Sequence, residues 1–585
     1  MGDITGFVVN GFSDLINSFG SIGNLHGPEA IIFDIALILI ISAIFAFIAR
    51  ILRQPLIPAY VLAGLLIGPL VFGLIKNVEL IYALSEIGIA FLLFTAGLEI
   101  SLRKIKQANL KKILIAGTLQ VLLTFGITLL LAGLLNLETM QAVYIGIILS
   151  FGSTMVVIKL LSDKDEFVTL HGRLVLGILL LQDLVAIIAI VVLMSGGFAL
   201  MPILIAMLKL VIIIAIAIFL QKFVLNKLFR FAARSIELLL LSALAVLFLF
   251  IILARMADIS IVIGAFIAGV SLANSPFKVE LESRISPLRD FFSILFFVAL
   301  GMQIVFGGIA QHTSLLIFLI VAAFVLKPII TFLLLRISGY QSRTSFLSAV
   351  SLAQLSEFSL IIGALGLTLG AITPAIFSTV ILATIVTMAI TPYLVEYKGH
   401  LFWLLRKPLK LFNKLPSMEN LEYKDKQEKS TILIGAHRMG SIILDGLVKR
   451  KKKELLVIDH DPEIVHCLVQ KKISSIYGDI TNPEIFESLD FTKLKTVIST
   501  VPDYESSLVL MRKIKARSKS VKVILTARRI SEALDLYRSG ADYVILPKVI
   551  AGKELLRVLG DGDATLSRER AIHIKKLKEI HSILY

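Results

Sequence analysis

"GILLLQDLVAIIAI", residues 177–190, sets Gln182 and Asp183 in the middle of an otherwise apolar run. An unpaired carboxylate at the centre of a hydrocarbon layer costs about 3 kcal/mol or more, so such a group is protonated, paired with a cation, or each in turn. What surrounds this one acid decides the kind of fold.

Working outward, apolar residues make up 57% of the 585, above the roughly 45–50% of ordinary globular chains. From 30 to 396 the sequence is nearly continuous apolar segments of about 20 residues, the length that a helix needs to cross roughly 30 Å of hydrocarbon. From 397 onward it turns charged and mixed. The expected organisation is an N-terminal segment (1–29), a membrane domain (30–396), a basic linker (397–428), a Rossmann-like α/β domain (429–550) and a helical tail (551–585). Within the first segment, 7–21 fits either a short interfacial helix or an ordered tail. The formal charge of +16 lies largely in short connections and in the linker, which is the pattern of a membrane surface and not of a nucleic-acid partner. One cysteine, Cys467, excludes an intramolecular disulfide and suits a cytosolic soluble part.

Thirteen spans are expected: 30–50, 55–75, 79–100, 110–135, 140–161, 172–196, 199–221, 236–254, 258–274, 289–307, 313–336, 344–370 and 373–395. Connections rich in basic residues, such as "SLRKIKQANLKK" and "QKFVLNKLFRFAARS", alternate with sparsely charged ones such as "NLET" and "SGGF". The positive-inside rule puts the first set in the cytoplasm, the N-terminus outside and the soluble domain inside. Thirteen spans also permit two inverted repeats of six about a linker helix. The fifth span holds "ILSFGSTMVV" and the twelfth "AVSLAQLSEFSL". Matched polar, small-residue interruptions of this kind are where half-helices break and offer dipole ends to an ion, although small residues also serve plain close packing.

Asp183 lies about twelve residues, or roughly 18 Å, into the sixth span, near mid-membrane. Two readings stay open. It exchanges a proton for a transported cation, or it is neutralised by an internal base. The candidate base is Lys327 in "AAFVLKPIITF", too deep in its span to reach an interface; Glu357 in the twelfth span is a further candidate for proton or ion binding.

These stretches, with "PLIPAYVLAGLLIGP", "LSEIGIAFLLFTAGLEISLRKI" and "FFSILFFVALGMQI", resemble the second monovalent cation–proton antiporter family, and within it the Kef potassium-efflux branch. The resemblance implies crossed, broken fifth and twelfth helices and an ion site at Gln182 and Asp183, with Ser153 and Thr154 lining it. It also implies potassium as the cation, one titrating carboxylate, and no metal beyond the transported ion. Where Kef proteins carry a His-Ala-Leu-Glu stretch, this chain reads "VELESRISP". Glu280 and Glu282 of that loop retain an acidic, regulatory character, while gating by glutathione is in doubt. Sodium–proton exchange on the same scaffold and a nucleotide-gated cation channel are the alternatives; no potassium-channel filter sequence appears.

In the soluble part, "KSTILIGAHRMGSIILDGLV" (429–448) reads as strand, turn and helix, and "ELLVIDHD" (454–461) as a second strand ending in acids. This is the order of a nucleotide site, with Gly435 for the turn, Gly440 for close helix packing, and Asp459, nineteen residues on, for a ribose hydroxyl. His437, Arg438, Met439, Asp461 and Asp479 complete the candidate set. The segment resembles the N-lobe of domains that regulate potassium conductance (TrkA-N-like). That resemblance implies dimerisation and an adenosine nucleotide (AMP, ATP or NAD(H)) as regulatory ligand, with Arg528 as an effector contact. No hydride-transfer machinery accompanies it, so the expected protein is a transporter in the cell membrane and not an enzyme.

Overall fold

Hydrocarbon offers no hydrogen bond to a bare amide, so chain that enters it folds into helices that satisfy their own backbone. The computed structural model describes residues 28–52, 54–75, 78–99, 110–163, 166, 169–195, 200–233, 235–273, 275–305, 311–409, 422–423, 429–436, 439–459, 461–478, 485–486, 489 and 491–560. The chain divides into two compact units, 1–165 with 173–415, and 166–172 with 416–585.

The first unit is helical throughout: α1 (Pro28–Ile51), α2 (Leu56–Ile67), α3 (Val78–Glu99), α4 (Leu110–Leu131), α5 (Thr139–Ser150), α6 (Thr154–Asp163), α7 (Leu170–Met194), α8 (Leu200–Leu220), α9 (Asn226–Ala232), α10 (Ile236–Met256), α11 (Ile261–Leu272), α12 (Lys278–Met302), α13 (Thr313–Val321), α14 (Lys327–Ile337), α15 (Ser342–Ser351), α16 (Glu357–Thr368), α17 (Pro374–Leu404) and α18 (Arg406–Leu409). Among the described residues, ten helical runs are long and apolar enough to cross a membrane. The expected count of thirteen therefore does not follow from length and composition. The second and ninth expected spans are the 12-residue helices α2 and α11, each about 18 Å long, and the second half of the twelfth is the equally short α16.

Short helices suffice where they face protein instead of lipid. A Cβ on Gly64 of α2 would sit 2.1 Å from Val298 O, and one on Gly301 of α12 would sit 2.1 Å from Val61 O. Likewise Gly97 of α3 faces Phe266 O at 2.3 Å and Gly269 of α11 faces Phe94 O at 2.0 Å. These reciprocal glycines bring the backbones into contact, the small-residue packing that substitutes for a hydrophobic drive inside a membrane.

Three expected boundaries move. The loop expected before the tenth span is already helix: α12 starts at Lys278, with Glu280 in its first turn and Pro287 inside it. Glu280 is favoured there by the positive end of the helix dipole. The run from α8 continues through a π turn, Gln221–Leu225, into α9, so most of "QKFVLNKLFRFAARS" is helix instead of loop. The last span runs unbroken to Leu404 in a 31-residue α17, so the first part of the expected linker extends that helix instead of forming a separate surface one. Its end is fixed by Phe402, which is buried against Phe346 with ring centroids 5.6 Å apart. Of the rest of the expected linker, 422–423 is strand and 410–421 and 424–428 lie outside the described residues, as do the segment 1–27 and the tail 561–585.

The second unit holds a sheet of β1 (Glu422–Tyr423), β2 (Thr431–Ile434), β3 (Leu455–Asp459), β4 (Ser475–Tyr477), β5 (Thr496–Ser499), β6 (Lys522–Thr526) and β7 (Tyr543–Ile545), in the order β1-β4-β3-β2-β5-β6-β7. All pairings are parallel except β1 with β4. The crossover helices are α19 (Met439–Lys451), α20 (Pro462–Gln470), α21 (Tyr504–Arg517) and α22 (Ile530–Arg538), followed by α23 (Pro547–Gly560). Strands β2 and β3 are buried at every position, as a sheet covered on both faces requires. The order reverses between β2 and β5, which places the switch point at the C-terminal end of β2.

Gly269→Val is expected to force α3 and α11 apart, costing about 1–3 kcal/mol as overpacking does. Gly126→Ala, where a Cβ meets nothing within 4 Å, should be neutral. Thermal unfolding of the two variants in detergent micelles measures the difference.

Candidate functional site

Two chain breaks build the membrane site. After α5, Phe151 turns extended at φ −98°, ψ 151°, and Ser153 Oγ accepts from Val156 N at 3.3 Å to restart the helix as α6. After α15, residues 352–356 are non-helical until Ser356 caps α16, accepting from Phe358 N at 3.2 Å. Serine at each restart is the ordinary N-cap choice. The two breaks are tied together, because Gln354 Nε2 donates to Ser153 O at 3.2 Å and Ser359 Oγ to Ile148 O at 2.7 Å.

Each break leaves carbonyls facing the interior with no helical partner. Lys327 answers them. Its ammonium donates to Phe151 O at 2.6 Å and to Gln354 O at 2.9 Å, one carbonyl from each break, and the residue is fully buried. A π turn, Ala322–Leu326, immediately precedes it; Pro328, next in sequence, cannot accept the regular i−4 geometry. The expectation that Lys327 pairs with Asp183 is thus replaced by a different arrangement. A cation is held better by two orphaned carbonyls at negative helix ends than across a gap to one side chain.

Glu357 takes the complementary place. It opens α16, its Oε2 accepts from Ser356 Oγ at 3.3 Å, and the Ser153 hydroxyl and the Met155 amide at the start of α6 lie close to its carboxylate. Its Oε1 has no partner among the described residues. An acid therefore sits where two helix N-termini approach, and a base where two C-terminal ends do.

Asp183 projects from α7 beside the first break. Thr154 Oγ1 donates to its Oδ2 at 3.0 Å, and only 7% of the residue is exposed. Asp183 and Thr154 are therefore brought together as the sequence suggested, and Ser153 adjoins them. Gln182 is oriented otherwise than expected. Its Oε1 accepts from Gly152 N at 2.9 Å and its Nε2 donates to Gln120 Oε1 at 2.5 Å, so its carbonyl serves the backbone of the break. Gln120 shows in the sequence the same signal as Asp183, a strongly polar side chain inside a largely apolar run, "IAGTLQVLLTF". A buried carboxylate with a hydroxyl donor and a partly open edge can hold a proton or a monovalent cation, one excluding the other.

In the second unit, Gly435 has φ +82°, the left-handed region that favours glycine. A Cβ on Gly440 would lie 2.0 Å from Gly435 O, so α19 closes directly on the turn after β2, with Met439 as its first residue. Asp459 is buried and clamps that turn, accepting from Ala436 N at 2.6 Å and from Asp461 N at 2.8 Å. The Arg528 amide donates to Glu532 Oε2 at 3.0 Å and its side chain is exposed. His437, Arg438 and Asp479 lie outside the described residues. A tight glycine turn leading into a helix N-terminus fits the phosphate of a nucleotide.

Comparison with known proteins agrees with this architecture. The model of the transmembrane sodium/hydrogen exchanger family matches residues 36–396, and that of the TrkA-N domain matches 431–547. The chain is 28% identical over 523 residues to the glutathione-regulated potassium-efflux system protein KefC of Klebsiella pneumoniae, covering 88% of this chain and 82% of that one. With the protein of the same description from Escherichia coli it shares 28% over 495 residues, covering 83% and 77%. The sodium proton antiporter MjNhaP1 of Methanocaldococcus jannaschii superposes with a TM-score of 0.52 at 19% identity, over 65% of this chain and 98% of that one, a likeness of fold alone.

Replacing Lys327 by Met strands two buried carbonyls, at about 1–3 kcal/mol each. The expected result is a thermal midpoint well below that of Lys209→Met, whose ammonium makes only a 3.7 Å ion pair with an exposed Asp258 and belongs to a class worth about 0–1 kcal/mol.

Proposed function

The chain belongs to the sodium/hydrogen exchanger family, and on that premise we propose that it is a potassium–proton antiporter of the efflux type, regulated by an adenosine nucleotide at its TrkA-N domain. The observation that carries the reading is Asp183, a carboxylate buried beside a helix break with Thr154 as hydroxyl donor. The potassium-efflux description of the relatives supports the choice of cation.

In this reading Asp183 carries either a proton or a potassium ion. Protonated, it is neutral and tolerates the low dielectric; deprotonated, it requires the cation. Thr154 supplies a second oxygen, and Ser153 and Glu357 hold the half-helix ends around it. Lys327 fixes the crossing by neutralising its carbonyls, so that the ion is held by Asp183 and not by competing backbone oxygens. One acid exchanged between two monovalent ions moves little net charge.

For the soluble part we assign AMP, ATP or NAD(H) to the turn at Gly435 and Gly440, with Asp459 and Asp461 on the ribose side, Arg528 as an effector contact, and His437, Arg438 and Asp479 as further candidate contacts. Glu280 and Glu282, on the first turns of α12, are assigned a regulatory role. The working unit is a homodimer, a reading supported by the exposed apolar residues Ile530 and Leu534 of α22 and Leu555 and Leu556 of α23. The N-terminus lies outside and the TrkA-N domain inside the cell membrane.

Proton movement driven by potassium gradients in proteoliposomes tests the transport reading, with sodium gradients as the comparison. Asp183→Asn, which cannot ionise, is expected to abolish exchange; persistence of coupled flux would remove the mechanism. In the wild type the apparent KM for potassium should rise as pH falls through the carboxyl pKa, about tenfold per pH unit for one competing proton. Adenosine nucleotides should raise the thermal midpoint of the full chain, by mass action on the folded state. Gly440→Val should remove that shift.

A further inference from the structure

Gln182 and Gln120 form a hydrogen-bond relay whose direction is fixed at both ends. It begins at the Gly152 amide, which can only donate, and passes through Gln182 Oε1 and Nε2 to Gln120 Oε1. It leaves by Gln120 Nε2, which donates to Ser150 O and to Thr124 Oγ1, both at 3.2 Å. Ser150 O is a backbone carbonyl and can only accept. Both backbone ends belong to the same break, two residues apart, and both glutamines are essentially excluded from solvent. Turning either amide over would set donor against donor at one end and acceptor against acceptor at the other, so this polarity is the one the network permits.

The relay has a chemical consequence for the adjoining carboxylate. A glutamine next to Asp183 is a natural oxygen ligand, but its oxygen is committed to Gly152. The cation then meets Asp183 and Thr154 without a Gln182 carbonyl that is free to move in on it. A smaller ion such as sodium demands that ligands close in around it, and a fixed carbonyl cannot follow; a larger ion such as potassium makes no such demand.

We propose that Gln120 is a positioning residue that sets cation preference. By pinning the Gln182 amide to the break it keeps that oxygen out of the ion's shell and the site too wide to contract around sodium. The inference rests on the antiport reading above and adds to it a residue on α4 that acts through its hydrogen bond to Gln182.

The test uses the full-length protein in proteoliposomes, with proton movement driven by graded potassium or sodium at pH 6.5. Gln120→Met keeps the length and removes both hydrogen-bonding atoms. Its preference for potassium over sodium, as the ratio of kcat/KM, is expected to fall about tenfold, mainly through KM, with kcat within about threefold of wild type. Gln120→Glu, whose neutral acid form still accepts from Gln182 and donates to Ser150 O, is expected to retain the wild-type preference. If Gln120→Met does not reach the membrane, Gln120→Asn, one methylene too short for the span, takes its place with the same expected loss. A wild-type preference in the Met or Asn variant overturns the proposal, as does equal loss in the Glu variant, which would indicate packing instead of hydrogen-bond polarity. Wild-type protein that moves no protons with potassium overturns the antiport reading itself, so the two failures are distinguishable.

Discussion

The structure depends on one constraint: a helix broken inside hydrocarbon must find partners for the backbone groups the break exposes, because neither water nor lipid supplies them. At both breaks the partner is the same ammonium, Lys327, bonded to Phe151 O and Gln354 O. Without it the crossing of α5–α6 with α15–α16 would place two negative helix ends against each other. Glu357 performs the opposite service where helix N-termini converge.

In the antiport reading, that compensation spares Lys327 from serving as the counter-ion of Asp183. A carboxylate locked to an internal lysine would be neutral in effect but unable to trade its proton for a cation. With Lys327 occupied by backbone carbonyls, and with the Gln182 amide turned toward Gly152, Asp183 keeps a hydroxyl donor and an edge that is not fully enclosed. The break is thereby tied down on its backbone side. Close glycine contacts between α2 and α12, and between α3 and α11, hold other helices of the unit with equal economy, backbone against backbone.

The second unit applies the familiar rules of a parallel sheet in water. Strands buried on both faces, a glycine turn at the switch point and an acid that ties the turn to the neighbouring strand make a preformed cradle. Asp459 places its two oxygens on backbone amides and so organises the loop.

Much of this was legible in the residues. Apolar runs of bilayer length gave the helical membrane part, because hydropathy and span length are set by the solvent and not by neighbours. Paired small, polar interruptions marked both breaks, since serine caps and glycine write their conformation locally, and Gly435, Gly440 and Asp459 marked the α/β turn for the same reason. What sequence could not supply was direction and partnership. Lys327 looked like a counter-ion to Asp183 until the π turn and the crossing put it on carbonyls 176 and 27 residues away. Gln120 showed no more than a polar letter in an apolar run until folding set it against Gln182. The start of α12 at Lys278 and the run of α17 to Leu404 depended on packing and dipole position instead of composition. Local chemistry determined which elements form and where they break; which buried donor meets which acceptor was decided only by tertiary structure, because in a medium without water that pairing is made among groups far apart in the chain.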